Sequence, residues 1–385
     1  MFESAAHGVY LKQRWRGDLM AAKKSGKKTS GGNGASAPKR NSRKPKIEDY
    51  KVSKPTQLEL FEMVLPSEKD YSNTIELYDF IPKYVWGRVE RIQEKFLEPV
   101  EREFECRGVR YRVRIAPARV QDSDGVSRDY LPGKREELVE DALRKLATEG
   151  QGIFLNDEAA VTFTLYQLQQ ELKRTGHTYS ITQLKEALMV CVGTILHLTD
   201  ESGQAIFASS IFDTIGLQTR EDWEGQGEKT KAFVRFNGLV TASIRNNTFR
   251  QFNYEVSMGY QNIISRQLHK RMSHHFTQAS LAHPYTILLS TVIRDFGLTA
   301  YEKISHNLRD VEKALKEMVS KDVLLKYSLE KILDQKRRNK IADVRLVLYP
   351  HPKFSGEIIT ANKKQKENLS LMNRAPLLPL TSGES

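Results

Sequence analysis

Arg309, Lys313 and Lys316 stand three and four residues apart in LRDVEKALKEMVSKD. On a helix that spacing gathers them on one side. Leu308, Val311, Leu315 and Met318 fall on the other side and are expected to pack inward. A face of this kind brings long cationic side chains to a phosphate or a guanine edge. The same residues also suit a solvated helix in which Glu312 and Glu317 make ordinary ion pairs. A second concentration lies in KILDQKRRNK, where Lys331, Lys336, Arg337, Arg338 and Lys340 surround the single acid Asp334. At a hairpin tip these cations would hold phosphate or enter a minor groove, and a plain soluble loop is the alternative. Arg266, Lys270 and Arg271, in NIISRQLHKRMSHHF, form a weaker candidate for backbone contact.

Catalytic patterns are absent from the sequence. There is no Gly-x-x-x-x-Gly-Lys-Ser/Thr loop for a nucleotide. A nicking enzyme needs a His-x-His metal pair and a nucleophilic Tyr. The adjacent His274 and His275 are not such a pair, and a His pair on a helix is usually at the surface. No Cys/His cluster has zinc spacing. Asp122, Asp124 and Asp129 in DSDGVSRD lack the spacing and terminal Glu of a calcium loop and read as a polar turn. The expectation is a non-enzyme with neither cofactor nor metal.

The composition agrees with a binding protein. The chain has 385 residues, 39% apolar, and a net charge of +12. Residues 1–54 hold fourteen Lys/Arg against four Asp/Glu, so +10 of that charge sits there and the rest carries about +2. DNA binding by the globular part must then use local basic faces. Residues 21–46 are rich in Gly, Ser, Lys and Pro, and cannot bury enough apolar area to offset ordering entropy. They read as a disordered linker or a salt-sensitive DNA tether. No apolar run is long enough to span a membrane. With no secretory signal and only Cys106 and Cys191, the expectation is a cytoplasmic protein.

Elements to position the cations follow from periodicity. EREFECRGVRYRVRI alternates around Arg107-Gly108 and predicts a hairpin, with Phe104 and Cys106 opposite Val109, Tyr111, Val113 and Ile115. GKREELVEDALRKLATEG predicts a helix with Leu138, Val139, Ala142, Leu143 and Leu146 inward and Gly150 as its cap. VTFTLYQLQQELKRTG predicts a helix ending at Gly176. Ser180 and Gln183 then make a capping box for ITQLKEALMVCVGTIL. Together these form a helix-turn-helix. ILHLTD, QAIFAS and KAFVRFN read as strands of a wing, GLVTASI as a short helix and TFRQFNYEV as a further strand. The order recurs, with NIISRQLHKRMSHHF, the apolar YTILLSTVIRDFG, the short helix TAYEKISHN, the cationic helix, and a second wing ending in Val344 to Tyr349. The expected fold class is α+β, with two tandem winged-helix domains behind a disordered basic tail.

Several long blocks, in order, carry a family resemblance: REELVEDALRKLA, VTFTLYQLQQELKRTGHTYSITQLKEAL, VRFNGLVTASI, FRQFNYEVSMGY and LTAYEKISHNLRDVEKALKEM. Over roughly 75–355 the chain resembles the TrfA-type replication initiators of broad-host-range plasmids. The resemblance implies two winged-helix domains that bind iterons, the repeated duplex sites of a plasmid origin. It also implies a monomer as the active form beside a homodimer, opening of an adjacent AT-rich stretch into single strands, and recruitment of host DnaA, replicative helicase and sliding clamp. The expected organisation is a disordered tail at 1–54, a linker at 55–74, an extension with a hairpin at 75–133, winged-helix domains at 134–257 and 258–355, and a disordered tail at 356–385.

The first domain looks less suited to reading a groove. Met189, Val190 and Val192 extend the apolar circumference of its second helix, which fits burial or a dimer contact. Lys185, Arg174 and Arg245 remain candidates for phosphate contact. QLELF, in the linker, matches the Gln-Leu-x-Leu-Phe peptide that bacterial proteins insert into the sliding clamp. Leu58 sits within it, Leu60 and Phe61 would fill an apolar pocket, and Gln57 would bond at its rim. A first strand with Leu58 and Leu60 inward is the alternative. The expected function is iteron binding and origin opening, with a winged-helix repressor or a rolling-circle nicking enzyme as other readings.

Overall fold

The computed structural model describes residues 70–86, 97–121, 125–155, 157–217, 232–335 and 340–374, with side chains described to Ser370. The basic tail, QLELF, the pair Asp122 and Asp124, and the cations Lys336, Arg337 and Arg338 lie outside the described residues.

The fold begins earlier than Ile75. Tyr71–Ile75 (β1) is a fully buried strand, and Glu76–Phe80 (α1) is a short helix behind it. Val100–Cys106 (β2) and Val109–Ala116 (β3) make the expected hairpin, with Phe104 opposite Tyr111 and Cys106 opposite Val109. Arg107 and Gly108 have φ of 51° and 73°, as a two-residue turn between twisted strands requires. Ala118–Gln121 (β4) and Ser127–Tyr130 (β5) form a separate ribbon.

Lys134–Leu146 (α2) is the central helix of the first unit, and Leu138, Val139, Ala142 and Leu143 on it are fully buried. A wider turn, Ala147–Gln151, follows it, with Gly150 inside it at φ 91°. Gly152–Leu155 (β6) and Glu158–Phe163 (β7) come next. The helix expected from Val161 therefore starts later, as Leu165–Arg174 (α3). Val161, Thr162 and Phe163 pair in a sheet instead, and Thr164 caps the helix with its hydroxyl 3.1 Å from the Gln167 amide. Ile181–Gly193 (α4) has the expected box, with the Ser180 hydroxyl accepting from the Gln183 amide and the Gln183 side chain accepting from the Ser180 amide.

Ile195–Asp200 (β8), Ala205–Ser210 (β9), Phe212–Leu217 (β10) and Ala232–Phe236 (β11) do not form one wing. β8 and β9 extend the first hairpin into a sheet of order β2-β3-β8-β9, while β10 and β11 build β10-β11-β7-β6. Alternation fixes which side chains face inward, but not which edge a strand joins. Gly238–Arg245 (α5), Phe249–Asn253 (β12) and Tyr254–Met258 (α6) complete this unit, and β12 pairs antiparallel with β1.

The second unit runs Ile263–His275 (α7), Tyr285–Leu288 (β13), Leu289–Asp295 (α8), Ile304–Ser320 (α9), Leu324–Leu333 (β14) and Ile341–Pro350 (β15). Its sheet has order β13-β15-β14. Helix, strand, helix-turn-helix and hairpin, with the first strand joining the hairpin's sheet, define a winged helix. YTILLSTVIRDFG divides into β13 and α8, because its first residues pair with β15. TAYEKISHN is not a helix of its own; its last four residues open α9.

Pro352–Arg374 (α10) corrects the expected tail at 356–385, since the described part of it is helical. Phe354, Ile358 and Ala361 are buried, and Phe354 stacks on Phe276 with ring centroids 6.4 Å apart. The helix also reaches the first unit, where the Arg250 guanidinium donates to Asn362 Oδ1 and Gln365 Oε1, each at 2.6 Å. Apolar residues are sparse here, so the helix depends on tertiary partners that local spacing does not reveal. The class is α+β, with one apolar core across 75–258 and a second across 260–358.

Candidate nucleic-acid interface

α9 is anchored on three sides. Val311, Ala314, Leu315 and Met318 are fully buried beneath it. At its start Asn307 fixes the preceding turn, accepting from the Tyr301 amide at 3.0 Å and donating to the Thr299 carbonyl at 2.8 Å. Near its end Glu317 is not an ordinary ion pair. Its carboxylate accepts from the Gln261 amide at 2.6 Å, the Asn262 amide at 3.1 Å and the Ser265 hydroxyl at 2.6 Å. An acid there satisfies free N–H groups at the start of α7 and meets the positive end of its dipole.

This anchoring leaves one face of α9 in solvent. Ser305, His306, Arg309, Lys313, Lys316 and Ser320 are all exposed and lie on one side of the helix. Lys313 pairs with Asp310 at 3.2 Å on the surface. Among the described residues, Arg309 and Lys316 have no ion-pair partner. His306 and Ser305 were not singled out in the sequence; their signal was the 3–4 spacing carried one turn further back. Tyr301 lies edge-on to His306, with ring centroids 5.8 Å apart.

The β14–β15 hairpin adds a second cationic element. Lys326 lies over the Tyr349 ring at 4.8 Å, which holds its stem against the sheet. Lys331 is exposed on β14 and Lys340 is exposed just before β15, and the Asp334 amide donates to the Lys340 carbonyl at 2.8 Å. Arg345 is paired with Glu330 at 3.2 Å. The remaining tip cations, Lys336, Arg337 and Arg338, lie outside the described residues.

In the first unit the equivalent helix is enclosed. α4 packs on α2, β4 and β10, and Val190 is fully buried rather than part of an outer apolar face. Lys185 and Met189 are exposed on its outer strip. Arg245 is exposed, yet its guanidinium donates to the Asp157 carbonyl. Arg174 is held by Glu171 at 2.7 Å and Glu255 at 2.5 Å.

The basic helix α7 does not present its cations to solvent. Arg266 is fully buried against Glu137 at 2.6 Å, and Lys270 is buried against Asp141 at 2.6 Å. Arg271 meets Asp295 at 3.0 Å. Both acids of α2 precede their partners by 129 residues, so nothing near α7 in sequence announces them. The histidine pair is not a surface feature either. His274 is buried edge-on to Phe80, and burial pushes its imidazole down to about 4. His275 stacks on the same ring at 4.9 Å. Asp129 stands in β5 and not in a turn, and it accepts from Arg119 directly across the ribbon and from the Leu97 amide. Among the described residues no group of three His, Cys, Asp or Glu could hold a metal ion, and no helix is long and apolar enough to cross a membrane.

No protein-family model matches the chain, and no curated protein matches it. Among solved structures it is similar to two crystal structures of domains 2 and 3 of RctB. One has TM-score 0.41 and 10% identity, covering 67% of this chain and 93% of that one. The other has the same score and identity, covering 70% and 96%. It is also similar to the Pi initiator protein in complex with iteron DNA, with TM-score 0.37 and 12% identity, covering 57% of this chain and 91% of that one. Strand order and helix packing, and not these similarities, define the fold described above.

Proposed function

We propose that this chain is a plasmid replication initiator that binds repeated duplex sites at an origin and promotes opening of an adjacent AT-rich stretch. The observation that carries this reading is the α9 face. It is the second helix of a helix-turn-helix within a complete winged helix, a geometry that places a recognition helix in the major groove. Its exposed side carries Arg309, Lys313 and Lys316, and two of these have no competing ion pair among the described residues. The resemblance to TrfA-type initiators supports the same reading. Lys331, Lys340 and the tip cations contact the backbone beside the groove. Lys185 and Arg245 add phosphate contacts from the first unit. Opening draws on binding energy and on host partners, DnaA and helicase, and QLELF is the segment offered to the sliding clamp.

The test uses purified protein and a supercoiled plasmid carrying the DNA that flanks the gene. Protection of tandem repeats together with permanganate-reactive thymines beside them is the expected result. Protection without opening would leave a repressor. A covalent nick in the presence of a divalent metal would overturn the reading. For the clamp segment, Leu60→Ala with Phe61→Ala is expected to abolish clamp binding and leave duplex binding intact. Loss of both activities with unfolding would mark it as a core strand.

A further inference from the structure

KREELVEDALRKL is rich in charged residues, yet on α2 Glu136, Glu137, Glu140, Asp141, Arg144 and Lys145 are all buried. Their partners come from two directions. From the amino-terminal side, Asp79 takes the Arg144 fork at 2.7 and 3.0 Å, and Lys83 lies 3.6 Å from Glu140. From the second unit, Glu137 accepts from Arg266 and Gln267, each at 2.6 Å, one on each carboxylate oxygen. Asp141 takes Lys270 on both oxygens, at 2.8 and 2.6 Å. Arg266 spends a further nitrogen on the Tyr260 carbonyl at 3.2 Å.

Glu137 and Asp141 are one turn apart on α2, and Arg266 and Lys270 are one turn apart on α7. The pairs run in the same order, so they fix the register of the two helices as well as their contact. Sliding α7 by one turn, about 5.4 Å, would leave one buried acid and one buried base unpaired. Apolar faces tolerate such slips far better, and register is the best-attested use of buried ionic groups. α2 is built into the first core, and α7 carries α9 through the Ser265 hydroxyl, 3.1 Å from the Ala314 carbonyl. Elsewhere between the units Arg250 bonds the neutral, part-buried Asn362 and Gln365, and Arg294 reaches Glu105 at 3.3 Å in a pair that is partly exposed and so weaker than the two buried ones.

We infer that Glu137, Asp141, Arg266 and Lys270 are positioning residues that set the orientation of the first unit relative to α9, and hence the spacing of DNA contacts that one molecule can make at once. This rests on the proposed DNA-binding function only for its DNA consequence; the orientation itself is read without DNA.

The test compares the wild-type chain with Arg266→Glu, with Glu137→Arg, and with the double swap that restores the pair in reverse. A milder Glu137→Gln variant serves if a charge reversal prevents folding. Both native cysteines are buried, so spin labels on introduced Thr182→Cys and Thr286→Cys, both exposed positions in different units, report the distance between them. The expected result is one narrow distance in the wild type, a broad or shifted one in each single variant at unchanged helix content, and recovery in the double swap. On DNA, the single variants lose about tenfold or more affinity for a full site, as linked modules do when they cannot engage together. They keep wild-type affinity for a short fragment that only α9 reaches. A single variant that folds and keeps the narrow wild-type distance overturns the inference. If the wild type binds no repeated DNA, the proposed function fails while the distance measurement still decides the positioning role.

Discussion

Arg144→Met is the substitution most informative about how the buried charges hold the fold. The Arg144 side chain is 7% exposed and reaches Asp79 at 2.7 Å, Asp141 at 3.1 Å and Glu140 at 3.7 Å. Met fills similar volume but leaves these carboxylates short of a cation. Breaking a buried pair from one side typically costs about 3–5 kcal/mol. Burial alone would raise the Asp79 carboxyl; Arg144, then Lys270 and Lys83, overcome it and hold the group well below the usual carboxylate range. A carboxyl depressed in the folded state adds stability above its unfolded value, about 3.9, and loses it as pH falls through the folded value. Without Arg144 the burial effect weighs more, the carboxyl moves up, and the folded variant takes up a proton more readily. The gap between wild type and variant is therefore largest near neutral pH and narrows on acidification. Urea unfolding at pH 7 and at about pH 4 measures both gaps. Arg144→Lys, which keeps one charge but not the fork, is expected to fall between. A loss under about 1 kcal/mol at pH 7, or a gap of equal size at both pH values, would refute the reasoning.

Other outcomes follow from particular contacts. Gly193→Ala places a Cβ 2.8 Å from Ala118 Cβ and 3.3 Å from its Cα, and is expected to cost about 1–3 kcal/mol by forcing β4 off α4; an unchanged urea midpoint would contradict this. Neither ring nitrogen of His269 has a hydrogen-bond partner among the described residues, and burial, with Lys270 beside it, pushes the imidazole down to about 3. The unfolded chain therefore takes up a proton below about pH 6.5 that the folded chain refuses, and stability falls with pH from there to about 3. His269→Phe removes this loss and should gain about 2 kcal/mol on the wild type between pH 7.5 and pH 5; a difference independent of pH would count against it. Burial pushes the Cys106 thiol up to about 12 and raises Cys191 as well. Neither should react with a disulfide reagent at pH 8 in the native protein, and both should react in denaturant.

What could be read from the sequence was local. The Ser180–Gln183 box, the Arg107-Gly108 hairpin and the α9 face are set by residues two to four apart, and the structure has each of them. What could not be read depended on distant partners. Arg266 and Lys270 looked like a DNA-facing stripe because their acids, Glu137 and Asp141, stand on another helix far back in the chain. For the same reason the burial of the α2 charges was not read from its sequence. β8, β9 and β11 were visible as strands and β10 was not, and the division of the four between two sheets was hidden because alternation carries no information on edges. α10 was missed because its buried residues are few and polar neighbours hide their spacing. Glu317 resembled an ion-pair partner in sequence, and instead accepts from the Gln261 and Asn262 amides that lead into α7.

The central claim is that the outer face of α9 reads DNA. Equilibrium binding to duplex repeat DNA over a range of salt, for wild type, Arg309→Ala and Lys316→Ala, tests it directly. Arg309→Ala is expected to cost about 1–3 kcal/mol and relax preference at one base pair, while Lys316→Ala weakens all sequences alike and lowers the salt slope by about 1. Wild-type affinity, specificity and salt slope in both variants, with each still folded, would contradict the claim.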